Sequence, residues 1–179
     1  MSGTLRSKAA GALFFLLALR EVAKTGGRIY FFQLFWAFRL GVVGIFFFQR
    51  DPPQKQSGAW VSGFSLFSTF LPLAYVPGVA RRMPQTELLA FVGLLLAGSL
   101  LSLWGVVSLG RSFGISPAVR TIVSEGPYSL LKHPIYFGYA LSECALVALA
   151  PNRTNFSILT VSLACYVARG VMESRMLAA

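Results

Sequence analysis

The sequence holds little that titrates. Its 179 residues include one histidine and six acidic side chains against sixteen Lys and Arg, for a net charge of +10. A single imidazole, His133, argues against a zinc site built from several histidines, so no metal centre is expected. Only two cysteines occur, Cys144 and Cys165, each inside its own apolar run. That excludes a disulfide framework and a Cys-x-x-Cys metal pair, and both read as small buried hydrophobes. The basic residues stand singly or in pairs between apolar stretches, with no basic stripe interleaved with aromatics. Nucleic acid is therefore not the expected partner, and the charge is directed at anionic lipid headgroups. Internal repeats and low-complexity linkers are absent as well.

What the sequence has in excess is apolar surface. Hydrophobic residues make up 55% of the chain, and the mean hydropathy is +0.66. A soluble domain of this length has too little interior to hide so much. A helix needs roughly 20 mainly apolar residues to cross about 30 Å of hydrocarbon. Five segments approach this, at about 29–48, 59–76, 87–109, 135–150 and 156–172. The short link from Pro151 to Asn155 makes the last two an antiparallel hairpin. The sequons at Asn152 and Asn155 fall in that link and carry no weight on their own. The run from Ala9 to Leu19 is apolar for eleven residues before Arg20 and Glu21. It reads as an interfacial helix, or else a short sixth span.

The expected fold class is therefore all-α: a polytopic transmembrane helix bundle of about five spans plus an N-terminal interfacial helix, one membrane-embedded domain over residues 1–179. Such a chain is an integral, multi-pass membrane protein in contact with membrane lipid. Orientation does not follow from the charges. The N-terminal segment, the Arg81-Arg82 loop and the loop from Arg111 to Lys132 are all basic, and five spans cannot place them on one side. Oligomeric state is not legible either.

The connection from Gly110 to Pro134 differs from the others, being about 25 residues long and carrying Arg111, Arg120, Glu125, Lys132 and His133. Connections beyond about 12 to 15 residues are usually functional or disordered. Phe113, Ile115, Ile122, Val123 and Leu130 alternate here with the turn formers Gly114, Pro117, Gly126 and Pro127, the composition of a packed loop. Gly126 and Pro127 favour a tight turn that brings backbone amides close to a ligand. Pro134 suits a first helical turn, and His133 and Tyr136, three apart, then share a face. Gly138 and Ser142 form a small-xxx-small pair that admits a neighbouring helix. Arg169 and Glu173, four apart near the end of the last span, also share a face. Arg39 and Glu143 fall in the middle of spans, where ionisable groups are functional candidates. They read as substrate contacts or as a mutual buried pair.

Three of these motifs stand in a fixed order. Leu109-Gly110-Arg111-Ser112-Phe113 is followed by Ile122-Val123-Ser124-Glu125-Gly126-Pro127-Tyr128, and then by Lys132-His133-Pro134-Ile135-Tyr136-Phe137-Gly138, before the hairpin that carries Arg169 and Glu173. Together they resemble the isoprenylcysteine carboxyl methyltransferase family, whose core is related to that of phospholipid methyltransferases. The resemblance covers residues 109–177, a methyltransferase-like cofactor-binding core. It implies S-adenosylmethionine as cofactor, a site at the cytoplasmic face, and a lipophilic acceptor approaching from the bilayer. The carboxylate of a prenylcysteine-like substrate is the foremost acceptor, with a thiol, an amine or a phospholipid headgroup left open.

By the same resemblance Gly126, Pro127, Tyr128, Lys132, His133, Pro134, Tyr136, Gly138 and Glu173 bind the cofactor, and Arg169 and Glu173 are catalytic. Glu173 would neutralise the cofactor's amine or bind its ribose, while Arg169 would hold an acceptor carboxylate. Blander readings stand beside these: His133, Tyr128 and Tyr136 as headgroup-level residues, and Arg169 with Glu173 as an interfacial ion pair. The chain departs from the family pattern at Lys132, where relatives carry Arg, and at Ser174, where they carry a second acid. Relatives also continue with an aromatic-rich segment where this chain has only six residues after Glu173. Two other functions remain in view: a membrane reductase of the sterol reductase type using NADPH, and a non-catalytic helical scaffold.

Overall fold

A computed structural model describes residues 3–23, 31–49, 55–76, 83–115, 118–119 and 123–178. Arg81, Arg82, Pro117, Arg120 and Ile122 lie outside the described residues. The described residues are mainly helical, with two-residue strands β1 (Lys55–Gln56) and β2 (Ala118–Val119) that pair antiparallel with Lys55 opposite Val119. It divides into two compact units, one formed by residues 1–53 and 109–114, the other by residues 54–108 and 115–179. The family-like segment is thus shared, its first motif packing with the first unit and the rest with the second.

The first unit is a helical hairpin of α1 (Gly3–Ala23) and α2 (Phe31–Gln49). Phe14 and Ala18 of α1 and Leu40 and Val43 of α2 are buried. Small residues let the helices close: a Cβ on Gly44 would come within 3.0 Å of the Phe15 ring, and one on Gly11 within 2.8 Å of Phe48. Phe113 is buried in this unit with its ring edge-on to Phe46, the centroids 6.0 Å apart. The expected N-terminal helix is present and longer than its apolar core, 21 residues against eleven, because helical spacing continues through Arg20. Leu13, Leu16 and Leu19 stay exposed along one side of it.

The second unit contains α3 (Ala59–Phe70), which tightens into a 3-10 turn at Leu71–Ala74, then α4 (Gln85–Leu109), α5 (Pro134–Leu149) and α6 (Arg153–Ala178). Each start has a local cause. Glu87 in the first turn of α4 meets the positive end of the helix dipole. Pro134 opens α5 with its preset φ and no wasted N–H. Asn152 caps α6, its Oδ1 accepting the Asn155 N–H at 2.8 Å. Asn155 itself is fully buried, bonded to both the N–H and the carbonyl of Val76 and to the Ala150 carbonyl. Its amide is therefore committed to packing and is not a surface sequon.

Helices α4 and α5 approach closely. A Cβ on Gly98 would lie 2.6 Å from the Gly138 carbonyl oxygen, and one on Gly138 would lie 2.5 Å from that of Gly98. Ser102 and Ser142 extend the contact, so two small-xxx-small pairs face one another and the backbones touch. Only the α5 half of this crossing was expected from the sequence.

Two described helical stretches are long and apolar enough to cross a membrane, Gln85–Ser112 and Arg153–Met176. Ala37–Phe46, Ala59–Ala74 and Pro134–Leu149 are shorter apolar stretches. The expected count of about five spans is therefore not reached by helix length among the described residues. At 1.5 Å per residue, the 16 residues of α5 reach about 24 Å, short of a bilayer core of about 30 Å. One cysteine also differs from expectation: Cys165 is buried but Cys144 is exposed, lying on the outer side of α5.

Candidate functional site

Parts of the loop before α5 that the structure describes are packed. Ile115 and Pro127 are buried, whereas Leu130 is 76% exposed and takes no part in that packing. Gly126 opens a 3-10 turn, Gly126–Ser129, with φ of +61°, where side chains are strained. Space is tight there too, since a Cβ would come within 2.8 Å of the Ser108 hydroxyl and require it to move. The turn delivers Tyr128 to a half-buried position. Burial, then the Glu173 carboxylate, then Tyr139 push its hydroxyl well above the ordinary tyrosine range.

His133 and Tyr136 project from the start of α5 toward α6, as their spacing implied. His133 Nδ1 lies 3.6 Å from Glu173 Oε2, an ion pair when the ring carries both protons. Its Nε2 lies 3.2 Å from the Ser174 hydroxyl. Ser174 spends its own hydrogen on the Gly170 carbonyl at 2.8 Å, so it receives rather than donates at His133. Gly170 supplies the room: a Cβ there would sit 3.1 Å from the imidazole. Tyr136 donates its hydroxyl to Glu173 Oε1. One histidine and one tyrosine thus converge on one carboxylate.

Arg169 lies one helical turn before Glu173, and the two do not form the interfacial ion pair kept open above. Its guanidinium is buried, 5% exposed, 4.9 Å over the Tyr136 ring. Nη1 donates to Ser68 at 3.1 Å and to Thr69 at 3.2 Å, and Nη2 donates to the Ile115 carbonyl at 2.5 Å. All three acceptors are neutral. Nε has no hydrogen-bond partner among the described residues. A buried cation without a facing carboxylate is costly unless a ligand completes it.

Glu143 is fully buried at mid-helix in α5. Tyr166 donates to its Oε1 at 2.5 Å and Tyr75 to its Oε2 at 3.2 Å. Tyr166 in turn stacks on Tyr136, with centroids 5.9 Å apart and planes 7° from parallel. Arg39 is half-buried on α2, in the first unit.

A groove of about 930 Å³ runs between α5 and α6. Phe137, Ala140, Leu163, Val167 and Val171 give it apolar walls, Tyr136 and Tyr166 also line it, and Lys132, His133, Ser174 and Arg175 line it on the side where α5 begins and α6 ends. Phe137, Val167 and Val171 are exposed, so the groove opens sideways from the helix pair. Neither Glu143 nor Arg169 lines it.

Of the expected residues, the structure brings together His133, Tyr136, Arg169 and Glu173, with Tyr128 close enough to feel the Glu173 charge. Lys132 is exposed, and Pro134 and Gly138 are buried as backbone-shaping positions. The sequence reading missed Tyr166, Ser68, Thr69 and Tyr75. Tyr166 was findable, since it stands three and seven residues before Arg169 and Glu173 on one helical face. Nothing in α3 marks Ser68 and Thr69 as partners of a distant arginine.

The described residues hold no cluster of three or more metal-ligating side chains. No curated protein and no solved structure matches the chain. Residues 91–179 match the model of the isoprenylcysteine carboxyl methyltransferase (ICMT) family, a stretch that adds most of α4, with Gly98 and Ser102, to the motifs already noted. The match supports a membrane methyltransferase and gives no support to the reductase alternative. Through its C-terminal half, the chain belongs to the isoprenylcysteine carboxyl methyltransferase family.

Proposed function

We propose that the protein transfers the methyl group of S-adenosylmethionine to the carboxylate of a lipophilic, prenylcysteine-like acceptor, within the membrane. The observation that carries this reading is Arg169, a buried guanidinium held by neutral partners, with one N–H that has no partner among the described residues. An acceptor carboxylate supplies the missing charge and acceptor atoms, and a guanidinium fork matches its geometry.

The residues at hand suit the cofactor. Glu173, fixed by Tyr136 and His133, offers an anion to the cofactor's ammonium group. Gly126 and Pro127 shape the adjoining turn, Tyr128 stays protonated as a hydrogen-bond donor, and Pro134 sets the first turn of α5 below His133. Lys132 sits at the groove's edge, where it attracts anionic groups. Gly138 fixes how closely α5 lies on α4 and thereby the height of Tyr136.

When bound, S-adenosylmethionine supplies a methyl carbon activated by a positive sulfonium. The chain's own task is then positional. Arg169 orients the carboxylate oxygen for in-line attack, and no base is needed because the acceptor is already an anion. The apolar walls between α5 and α6 keep water away from the reacting atoms and give a hydrocarbon tail its path.

The test is thermal protection of the purified protein by S-adenosylmethionine and by S-adenosylhomocysteine, with NADPH as the comparison, followed by transfer of labelled methyl to N-acetyl-farnesylcysteine. Protection by the first two and label in the lipid fraction are expected. Protection by NADPH alone would refute the proposal.

A further inference from the structure

Glu143 is the one described carboxylate fully buried in the second unit, and the chemistry above does not use it. It does not line the groove, and each of its oxygens already accepts a tyrosine hydroxyl. Its position is nonetheless specific. One oxygen accepts from Tyr166 of α6 and the other from Tyr75, just past the 3-10 turn that follows α3. The two bonds lead to different places. From Tyr166, the chain of contact continues by ring stacking to Tyr136, which carries Glu173 on its hydroxyl and Arg169 against its ring. Tyr75 instead closes the 3-10 turn that continues α3, the helix whose Ser68 and Thr69 accept from Arg169.

We propose that Glu143 is a positioning residue for the site, acting through Tyr166, and not a substrate contact. Tyr166 has two degrees of freedom that matter, ring tilt and depth, and a hydrogen bond to a buried carboxylate fixes both. A ring stacked within 7° of parallel on Tyr136 passes that constraint on. Tyr136 then presents its hydroxyl to Glu173 at one height and its ring to Arg169 at one angle. Glu143 thus aligns the anion proposed for the cofactor and the cation proposed for the acceptor through a single tyrosine pair. This inference rests on the cofactor reading given above.

The two tyrosine bonds to Glu143, at 2.5 Å from Tyr166 and 3.2 Å from Tyr75, supply the experiment. Tyr166→Phe and Tyr75→Phe each delete one hydroxyl donated to the same carboxylate and leave a ring in place. A purely structural Glu143 predicts that both variants lower the Tm and that neither changes the Kd. A positioning Glu143 predicts that Tyr166→Phe weakens S-adenosylhomocysteine binding about tenfold, the loss of one charge-assisted hydrogen bond. Tyr75→Phe leaves the Kd within about twofold at a similar loss of Tm. Isothermal titration and thermal unfolding on the full chain in detergent read both. Glu143→Gln, which keeps the size but lowers the strength of both bonds, follows Tyr166→Phe in Kd. Equal Kd values for the two tyrosine variants, with binding by the parent intact, overturn the positioning role alone. No saturable binding by the parent overturns the cofactor reading and this role with it.

Discussion

Gly138→Ala is the sharpest test of how the fold sets the site, because the added methyl meets backbone that cannot rotate away. Its Cβ would stand 2.5 Å from the Gly98 carbonyl oxygen and 2.7 Å from the Ser102 nitrogen, about 0.9 Å inside the 3.4 Å at which ordinary contact begins. The helices α4 and α5 must part by nearly that amount. Overpacking of this kind costs about 1 to 3 kcal/mol, against a gain of about 1 kcal/mol for alanine over glycine in a helix. A net loss of up to about 2 kcal/mol follows, or a Tm lower by up to roughly 8 °C for a chain of this size. Gly93→Ala, on the same helix α4 with nothing within 4 Å of the new methyl, gives the propensity gain without the clash and raises the Tm. The double variant Gly98→Ala with Gly138→Ala loses less than the two singles together, since one separation relieves both contacts. Thermal unfolding in one detergent measures all four proteins. A Gly138→Ala protein as stable as Gly93→Ala would refute the close crossing and, with it, the role given to Gly138 in setting the height of Tyr136.

Three further outcomes follow from named contacts. Arg169→Lys keeps a charge but cannot reach Ser68, Thr69 and the Ile115 carbonyl with one ammonium. It lowers kcat/KM for N-acetyl-farnesylcysteine roughly a hundredfold while the Kd for S-adenosylhomocysteine changes little, as steady-state kinetics and titration calorimetry will show. Tyr128 holds its proton more tightly folded than unfolded. Its contribution is complete below the ordinary tyrosine value near 10 and is lost as pH rises beyond it, so Tyr128→Phe flattens the fall of Tm between about pH 10 and 11. Asn155→Ala removes two hydrogen bonds to Val76 and one to the Ala150 carbonyl and lowers stability by about 1 to 3 kcal/mol, seen as a Tm drop with unchanged ligand affinity.

The sequence announced what periodicity and local chemistry control. The apolar runs, the breakers between them, Pro134 at a helix start and the Gly126 turn are local, and each was legible before any coordinate. The pairing of His133 with Tyr136 on one face was legible for the same reason. Span count was less so, because hydropathy marks where a segment is apolar and not where its last α-helical turn closes: the second run, expected over 59–76, proves to be an α-helix of only 12 residues followed by a 3-10 turn. The partners of Arg169 were invisible, since Ser68 and Thr69 lie about a hundred residues away and look like any other helix hydroxyls. Glu143 was visible as an ionisable residue in a span but not as a tyrosine acceptor, because its role depends on two rings from other elements.

The relation of Arg169 to Glu173 shows why spacing alone misleads about charge. Four residues apart on α6, they invite reading as an ion pair worth a few tenths of a kcal/mol. The structure keeps them apart by giving each a different set of neutral or aromatic neighbours: Ser68, Thr69 and Ile115 for the cation, Tyr136, with His133 nearby, for the anion. Tyr136 stands at both, donating to one and lying under the other. Had the two charges met, each would have quenched the other. Held separate, they offer an anion and a cation one helical turn apart, the polarity required by the proposed pairing of a positively charged methyl donor with a carboxylate acceptor. Ser174, in place of a second acid, fits the same balance: it steadies His133 without adding a negative charge that would compete for Arg169.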